Sequence, residues 1–171
     1  NRGLVVPAIE GLPQFPLVAA MSDSSAVTAA PMDFLQRMGP AVPMERALDL
    51  AVAGRDNIRV QRALAHGAAR IRADSGLLQQ AWGNLCTNAL QALGAGGGEL
   101  WLSSRVEDGH VCLMLEDSGP GVPAEIMPRL FEPFFTTKEH GTGLGLSIAH
   151  TLVEANGGRL EALPPQKSGA R

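Results

Sequence analysis

Residues 110–117, His-Val-Cys-Leu-Met-Leu-Glu-Asp, constrain this chain more than any other stretch. Val111, Leu113 and Leu115 share one face of a strand while Cys112 and Met114 share the other, so the strand is apolar on both sides and belongs in the middle of a sheet. A second strand pattern precedes it at 99–106, where Leu100, Leu102 and Val106 alternate with Trp101, Ser103 and Arg105. Glu107-Asp108-Gly109 joins the two with a hairpin signal. Such a sheet needs cover, and helical patterns supply it. Asp74 or Ser75 is placed to cap a helix running to about Leu93, with Leu78, Trp82, Leu85 and Ala89 along one stripe, and the glycines of 94–98 stop it. A last helix from about Gly143 to Ala155 ends at Asn156-Gly157-Gly158, the sequence of a left-handed C-cap.

Upstream, Pro43 opens a helix with Met44, Ala47, Leu48, Ala51 and Val52 at helical spacing. Residues 58–64 alternate as a half-buried strand, a short strand surrounds Ile71, a short helix falls around 124–130, and 159–163 is one more strand. Because strands and helices do not alternate as regular βαβ units, the expected fold is a two-layer α/β sandwich. Its sheet is mixed, mostly antiparallel, and covered on one face by helices. Residues 43–171 are expected to form this domain. Residues 1–40 carry only five charges, and the first 43 hold six of the twelve prolines, so 1–40 reads as an irregular segment or linker. Its Ser22-Asp23-Ser24-Ser25 cluster is linker-like, and 32–38 is a candidate short helix.

Composition removes several function classes. A net charge of −3 leaves no basic field for phosphate backbones, so nucleic acid is not an expected partner. No run approaches the length of a membrane helix, and Asn1-Arg2-Gly3-Leu4 lacks a signal-peptide layout, so this segment is expected to avoid the membrane, in the cytoplasm, even if its parent is membrane-anchored. Cys86 and Cys112 stand alone without metal spacing and are expected to be reduced core residues. The chain starts at Asn rather than Met, so it is expected to be cut from something longer.

Four features could carry chemistry. Asp117 is in register with Val111, Leu113 and Leu115, so a carboxylate ends a core-facing row. It either caps the amides of Ser118 and Gly119 or receives a ligand's amino group beside Gly119-Pro120-Gly121. Asn84, Asn88 and Gln91 share one helix face, either as a solvent-facing stripe or as amides for a hard cation and phosphate oxygens. Gly141-Thr142-Gly143-Leu144-Gly145-Leu146 opens a helix, as a flexible turn or as an anion cradle. It is not GxGxxG and follows no strand, and no P-loop occurs. Phe131, Phe134 and Phe135 either anchor a loop or hinge a segment, 133–142, that brings Lys138 to a terminal phosphate and is ordered by nucleotide.

In this order the four resemble the ATP-binding catalytic domain of two-component sensor histidine kinases, in the superfamily shared with gyrase, mismatch-repair ATPases and heat-shock chaperones. Asn84-Leu85-Cys86-Thr87-Asn88-Ala89 resembles the family's N box, Asp117-Ser118-Gly119-Pro120-Gly121 its first glycine box, 130–138 its F box and 141–146 its second glycine box. The short interval between the last two is similar to nitrogen-regulation kinases with a compact lid. The resemblance implies that Asp117 accepts from the adenine amino group while Gly119 and Gly121 let the base approach. It implies that Asn88 ligates Mg2+, with Asn84 and Gln91 as supporting polar contacts. Thr137, Thr142, Leu144 and Leu146 would join the ATP contacts, Gly141, Gly143 and Gly145 would wrap the phosphates, and Lys138 would touch the γ-phosphate. Asn88 and Lys138 would be the catalytic pair.

The departures shape the expected activity. Hydrolytic members carry a Glu four residues before the metal-binding Asn, and here that position is Asn84, so hydrolysis should be slow. Kinases of this family phosphorylate a His on a separate dimerisation domain, and His66, His110, His140 and His150 all lack the usual His-Glu context. They read as structural or solvent residues. The expected activity is therefore transfer of the γ-phosphate of Mg-ATP to a His-containing dimerisation domain, in cis or in trans, ahead of a response regulator. The alternatives are an ATP-binding regulator without transfer and an ATPase of the gyrase and chaperone class. The chain ends at Gly169-Ala170-Arg171, where the family continues into a closing strand, so that strand is expected to be missing.

Overall fold

The structure, a computed structural model, describes residues 16–22, 36–38, 42–65, 71–107, 110–138 and 141–163. They form β1 (Pro16–Ser22), β2 (Gln36–Met38), α1 (Val42–Val52), β3 (Ile58–Ala65), β4 (Ile71–Ala73), α2 (Ser75–Leu93), β5 (Gly98–Glu107), β6 (His110–Asp117), α3 (Gly145–Ala155) and β7 (Gly158–Ala162). Five strands make one sheet in the order β3-β5-β6-β1-β7, and β2 and β4 make a two-stranded ribbon. Only β3 and β5 run parallel in the main sheet, and α2 lies in the crossover between them, as a parallel pair requires.

Local chemistry starts and orients α2. Asp74 has extended backbone, and its Oδ1 accepts from Gly76 N at 2.8 Å and Leu77 N at 3.0 Å, satisfying two donors that the helix cannot. Leu78, Ala81, Trp82, Leu85 and Ala89 then lie on its buried stripe. That stripe meets Met44 and Leu48 of α1, Val153 of α3, and Leu100, Leu102, Leu113 and Leu115 of the sheet in one core. Trp82 is only 1% exposed, and truncating such a side chain costs about 3–5 kcal/mol. Cys112 and Met114 are also buried but stand outside that cluster, as expected for the opposite face of a central strand. Both cysteines are free and buried, and burial pushes the Cys86 thiol up to about 12, which keeps it protonated and inert.

The N-terminal expectation needs correction. Within 1–40, β1 pairs antiparallel with β6 on one side and with β7 on the other, so it stands inside the main sheet. The uncharged run Pro16-Leu17-Val18-Ala19-Ala20-Met21 has no alternation to mark it as a strand, and its pairing comes from distant partners. The short helix at 32–38 is also corrected, because Gln36–Met38 forms β2 against β4; here tertiary pairing overrides local helix preference. The short helix expected around 124–130 contracts to a 3₁₀ turn, Met127–Arg129, with Pro128 inside it. The linker-like cluster after Ser22, the hairpin tip Asp108-Gly109, His66, His140 and the expected site of a closing strand lie outside the described residues. No helix among the described residues is long and apolar enough to cross a membrane.

Candidate functional site

At the end of β6 the chain leaves the sheet beside the C-terminal half of α2, and the two elements form the walls of a cleft. Asn88 and Ala92 line it from α2, and Asp117, Gly121 and Val122 from β6 and the following loop. Met127, Leu130, Leu146, Ala162 and Leu163 close the apolar side. Leu146 was expected among the nucleotide contacts; Met127, Leu130, Ala162 and Leu163 were not, because only the fold brings 127–130 and β7 to the same place.

Asp117 serves the loop and the cleft at once. One oxygen, Oδ1, accepts from Gly119 N at 2.8 Å, and among the described residues the second oxygen has no hydrogen-bond partner. Ser118 is not capped by Asp117: its N–H donates to Glu99 O at 3.0 Å, and its Oγ accepts from Glu99 N at 3.0 Å. Burial raises the Asp117 pKa, while the Gly119 N–H and the Lys138 charge hold it down. A Cβ on residue 119 would stand 2.6 Å from Asp117 Oδ1 and 3.0 Å from Ala92 Cβ, so only glycine lets this loop pass between the carboxylate and α2.

The amide face of α2 is tied to Lys138. Its Nζ donates to Asn88 Oδ1 at 2.8 Å and to Gln91 Oε1 at 2.7 Å. Desolvation lowers the Lys138 pKa, and the Asp117 carboxylate acts to raise it. Asn84 lies one turn before Asn88, half-buried, and makes neither of these contacts.

The loop that carries Lys138 is pinned at its base. Phe134 N–H donates to Gly143 O at 3.0 Å, and a Cβ on Gly143, whose φ is 67°, would come within 2.4 Å of the Phe134 carbonyl carbon. The Thr136 hydroxyl accepts from Lys138 N–H at 3.1 Å, a role that sequence reading had not given it, whereas Thr137 is exposed. Gly141 N–H returns to Lys138 O at 3.1 Å, and Leu144 N–H reaches Thr142 Oγ1 at 3.4 Å. α3 begins at Gly145, two residues later than expected, and Leu146 in its first turn reaches the cleft. The first-turn amides of such a helix have no partners within it, which suits an anion.

Phe131 faces the other way. Its ring lies 5.0 Å from that of His150, whose Nδ1 is 3.3 Å from Glu154, at the edge of a broad depression of about 700 Å³ between α3 and β7. That depression is the larger cavity but contains none of Asp117, Asn88 or Lys138. Asp117 and Asn88 line the narrower cleft instead.

These residues fit an adenine nucleotide with its metal. A half-buried carboxylate oxygen without a partner suits the amino group of a base, and the amide oxygens of Asn88 and Gln91 already hold one cation, the Lys138 ammonium.

Comparison with known proteins gives the same direction. The profile of the HATPase_c family, described as histidine kinase-, DNA gyrase B- and HSP90-like ATPase, matches residues 73–171. Over 126 residues the chain is 37% identical to the sensor protein FixL of Bradyrhizobium diazoefficiens, a match that covers 72% of this chain and 25% of FixL. The chain thus spans a quarter of that relative. Among solved structures, the catalytic domain of histidine kinase ThkA aligns with a TM-score of 0.63 at 27% identity, covering 76% of this chain and 95% of that one. Full-length ShkA in complex with AMPPNP aligns with a TM-score of 0.63 at 25% identity, covering 83% of this chain and 33% of that one.

Proposed function

The chain belongs to the family of histidine kinase-, DNA gyrase B- and HSP90-like ATPases, and from that premise we propose that it is the catalytic part of a sensor histidine kinase. In this reading it binds ATP with Mg2+ and presents the γ-phosphate to a histidine on a separate dimerisation domain, in cis or in trans. A response regulator then takes the phosphate, and the site works in the cytoplasm.

The observation that carries the reading is the pairing of opposite chemistries around one cleft: it is lined by Asp117, one of whose oxygens has no partner among the described residues, and by Asn88, whose amide oxygen takes the Lys138 ammonium together with Gln91. Asp117 receives the adenine amino group, and Gly119 and Gly121 admit the base edge. Asn88 is the metal ligand, with Gln91 and Asn84 as polar neighbours. Bound there, Mg2+ neutralises charge on the phosphates during transfer. Lys138 and the amides of Thr142, Gly143 and Gly145 stabilise charge that develops around the γ-phosphate, while Gly141 and Leu144, whose own N–H groups bond within the loop, shape its wrap around the phosphates; Leu146 packs near the nucleotide and Thr137 stands beside it. Asn84 has no basic oxygen to take a proton from water, so the chain holds ATP without spending it on hydrolysis.

The test is to supply a matching His-bearing dimerisation domain together with ATP labelled at the γ-position. The expected product is an acid-labile, alkali-stable phosphohistidine on that partner, with slow turnover and no labelling of the isolated chain. Asn88→Ala should abolish transfer and keep the helix, because Ala is the better helix former. ATP binding without transfer to any supplied domain would favour a regulator that only holds nucleotide.

A further inference from the structure

Lys138 occupies the place that the proposed reading gives to a metal. Its ammonium lies 2.8 Å from Asn88 Oδ1 and 2.7 Å from Gln91 Oε1, two oxygens three residues apart on one face of α2. Each amide oxygen has two lone pairs, so simple occupancy does not forbid a second cation. Charge does. A Mg2+ on Asn88 Oδ1 sits about 2.1 Å from that oxygen, which leaves the ammonium only a few ångströms from a doubly charged ion in a partly desolvated cleft, where their repulsion is several times stronger than in bulk water.

We propose that Lys138 is the placeholder for the divalent cation: without nucleotide, anchored by Gln91, it holds the Asn88 amide oxygen in the ligand geometry, and metal entry moves it onto the incoming phosphate. The proposal rests on the Mg-ATP reading above and adds an order to it. Lys138 and the metal compete for Asn88 Oδ1, so the lysine sets how much Mg2+ is needed to load nucleotide.

Two measurements separate this proposal from the reading beneath it. In nucleotide-free, metal-free protein, trypsin cleaves after Lys138 only when the side chain leaves α2 to enter the protease's specificity pocket. Gln91→Met, which keeps helix preference and removes one acceptor, should speed that cleavage about threefold or more; an unchanged rate overturns the placeholder. The second measurement follows binding of a fluorescent ADP analogue across a Mg2+ series, ADP being chosen because it lacks the γ-phosphate assigned to Lys138. Lys138→Met should lower the Mg2+ concentration for half-maximal binding by about three- to tenfold, the range for a partly screened charged hydrogen bond. A midpoint that stays or rises overturns the competition, whereas a wild-type chain that binds no ADP at any Mg2+ concentration overturns the nucleotide reading itself.

Discussion

Asp117 and Gly119 are fitted to each other at both ends of one contact. The carboxylate Oδ1 accepts the Gly119 N–H at 2.8 Å, and that same oxygen stands 2.6 Å from where a Cβ at 119 would be. Gly119→Ala therefore pushes the loop off the carboxylate or off Ala92. The expected cost is about 1–3 kcal/mol of stability, as for overpacking, together with at least a tenfold loss of ATP affinity. Denaturant melts and calorimetry check the two effects separately.

Glu116, next to Asp117 but on the opposite face of β6, gives a pH dependence. It is 7% exposed, and burial pushes its pKa up to about 7 from 4.5. The folded state then holds a proton that the unfolded state releases, so stability is full below pH 4.5 and is lost as pH rises through 7. The loss amounts to as much as about 3 kcal/mol. Glu116→Gln should remove that slope. Urea melts of both proteins at pH 5 and pH 8 measure the difference between their slopes.

Phe134 combines a φ of 65° with 75% exposure, at the base of the loop that carries Lys138. A non-glycine residue there costs of order 1 kcal/mol or more in strain. Phe134→Gly should stabilise the chain by about 0.5–1 kcal/mol, after the entropy that glycine adds to the unfolded state. Gly143→Ala, whose Cβ would collide with the Phe134 backbone, should do the reverse and open the base of the loop. Thermal melts of the two variants should shift in opposite directions.

β1 ties the sheet together through seven residue pairs with β6 and five with β7. A chain that starts at Asp23 leaves β7 without its strand neighbour and exposes the edge of β6 that leads to Asp117. It should lose cooperative unfolding and tend to associate through the open edges. Circular dichroism melts and light scattering test this.

The parts legible in the sequence were those set by short periods. Asp117 was placed by two-residue alternation from Val111, and the Asn84, Asn88 and Gln91 face by helical spacing; Asp74 announced the start of α2 by its capping chemistry. The unread parts depend on partners far away in the chain. Lys138 meets Asn88 across fifty residues, a distance that no local pattern encodes. Pro16–Ser22 pairs at both edges with strands about a hundred residues or more downstream, so its own run of small apolar residues carries no mark of that role. The placement of Ala162 and Leu163 in the cleft likewise follows from β7 reaching the edge of the sheet.

The central claim is that this cleft holds Mg-ATP by its base, through Asp117. Calorimetric titration of ATP, with Mg2+ present, into wild type and Asp117→Asn measures it directly. A charged hydrogen bond contributes about 1.5–3 kcal/mol, so the variant should bind roughly ten- to a hundredfold more weakly while its melting temperature stays close to that of wild type. Equal ATP affinity in the two proteins contradicts the account.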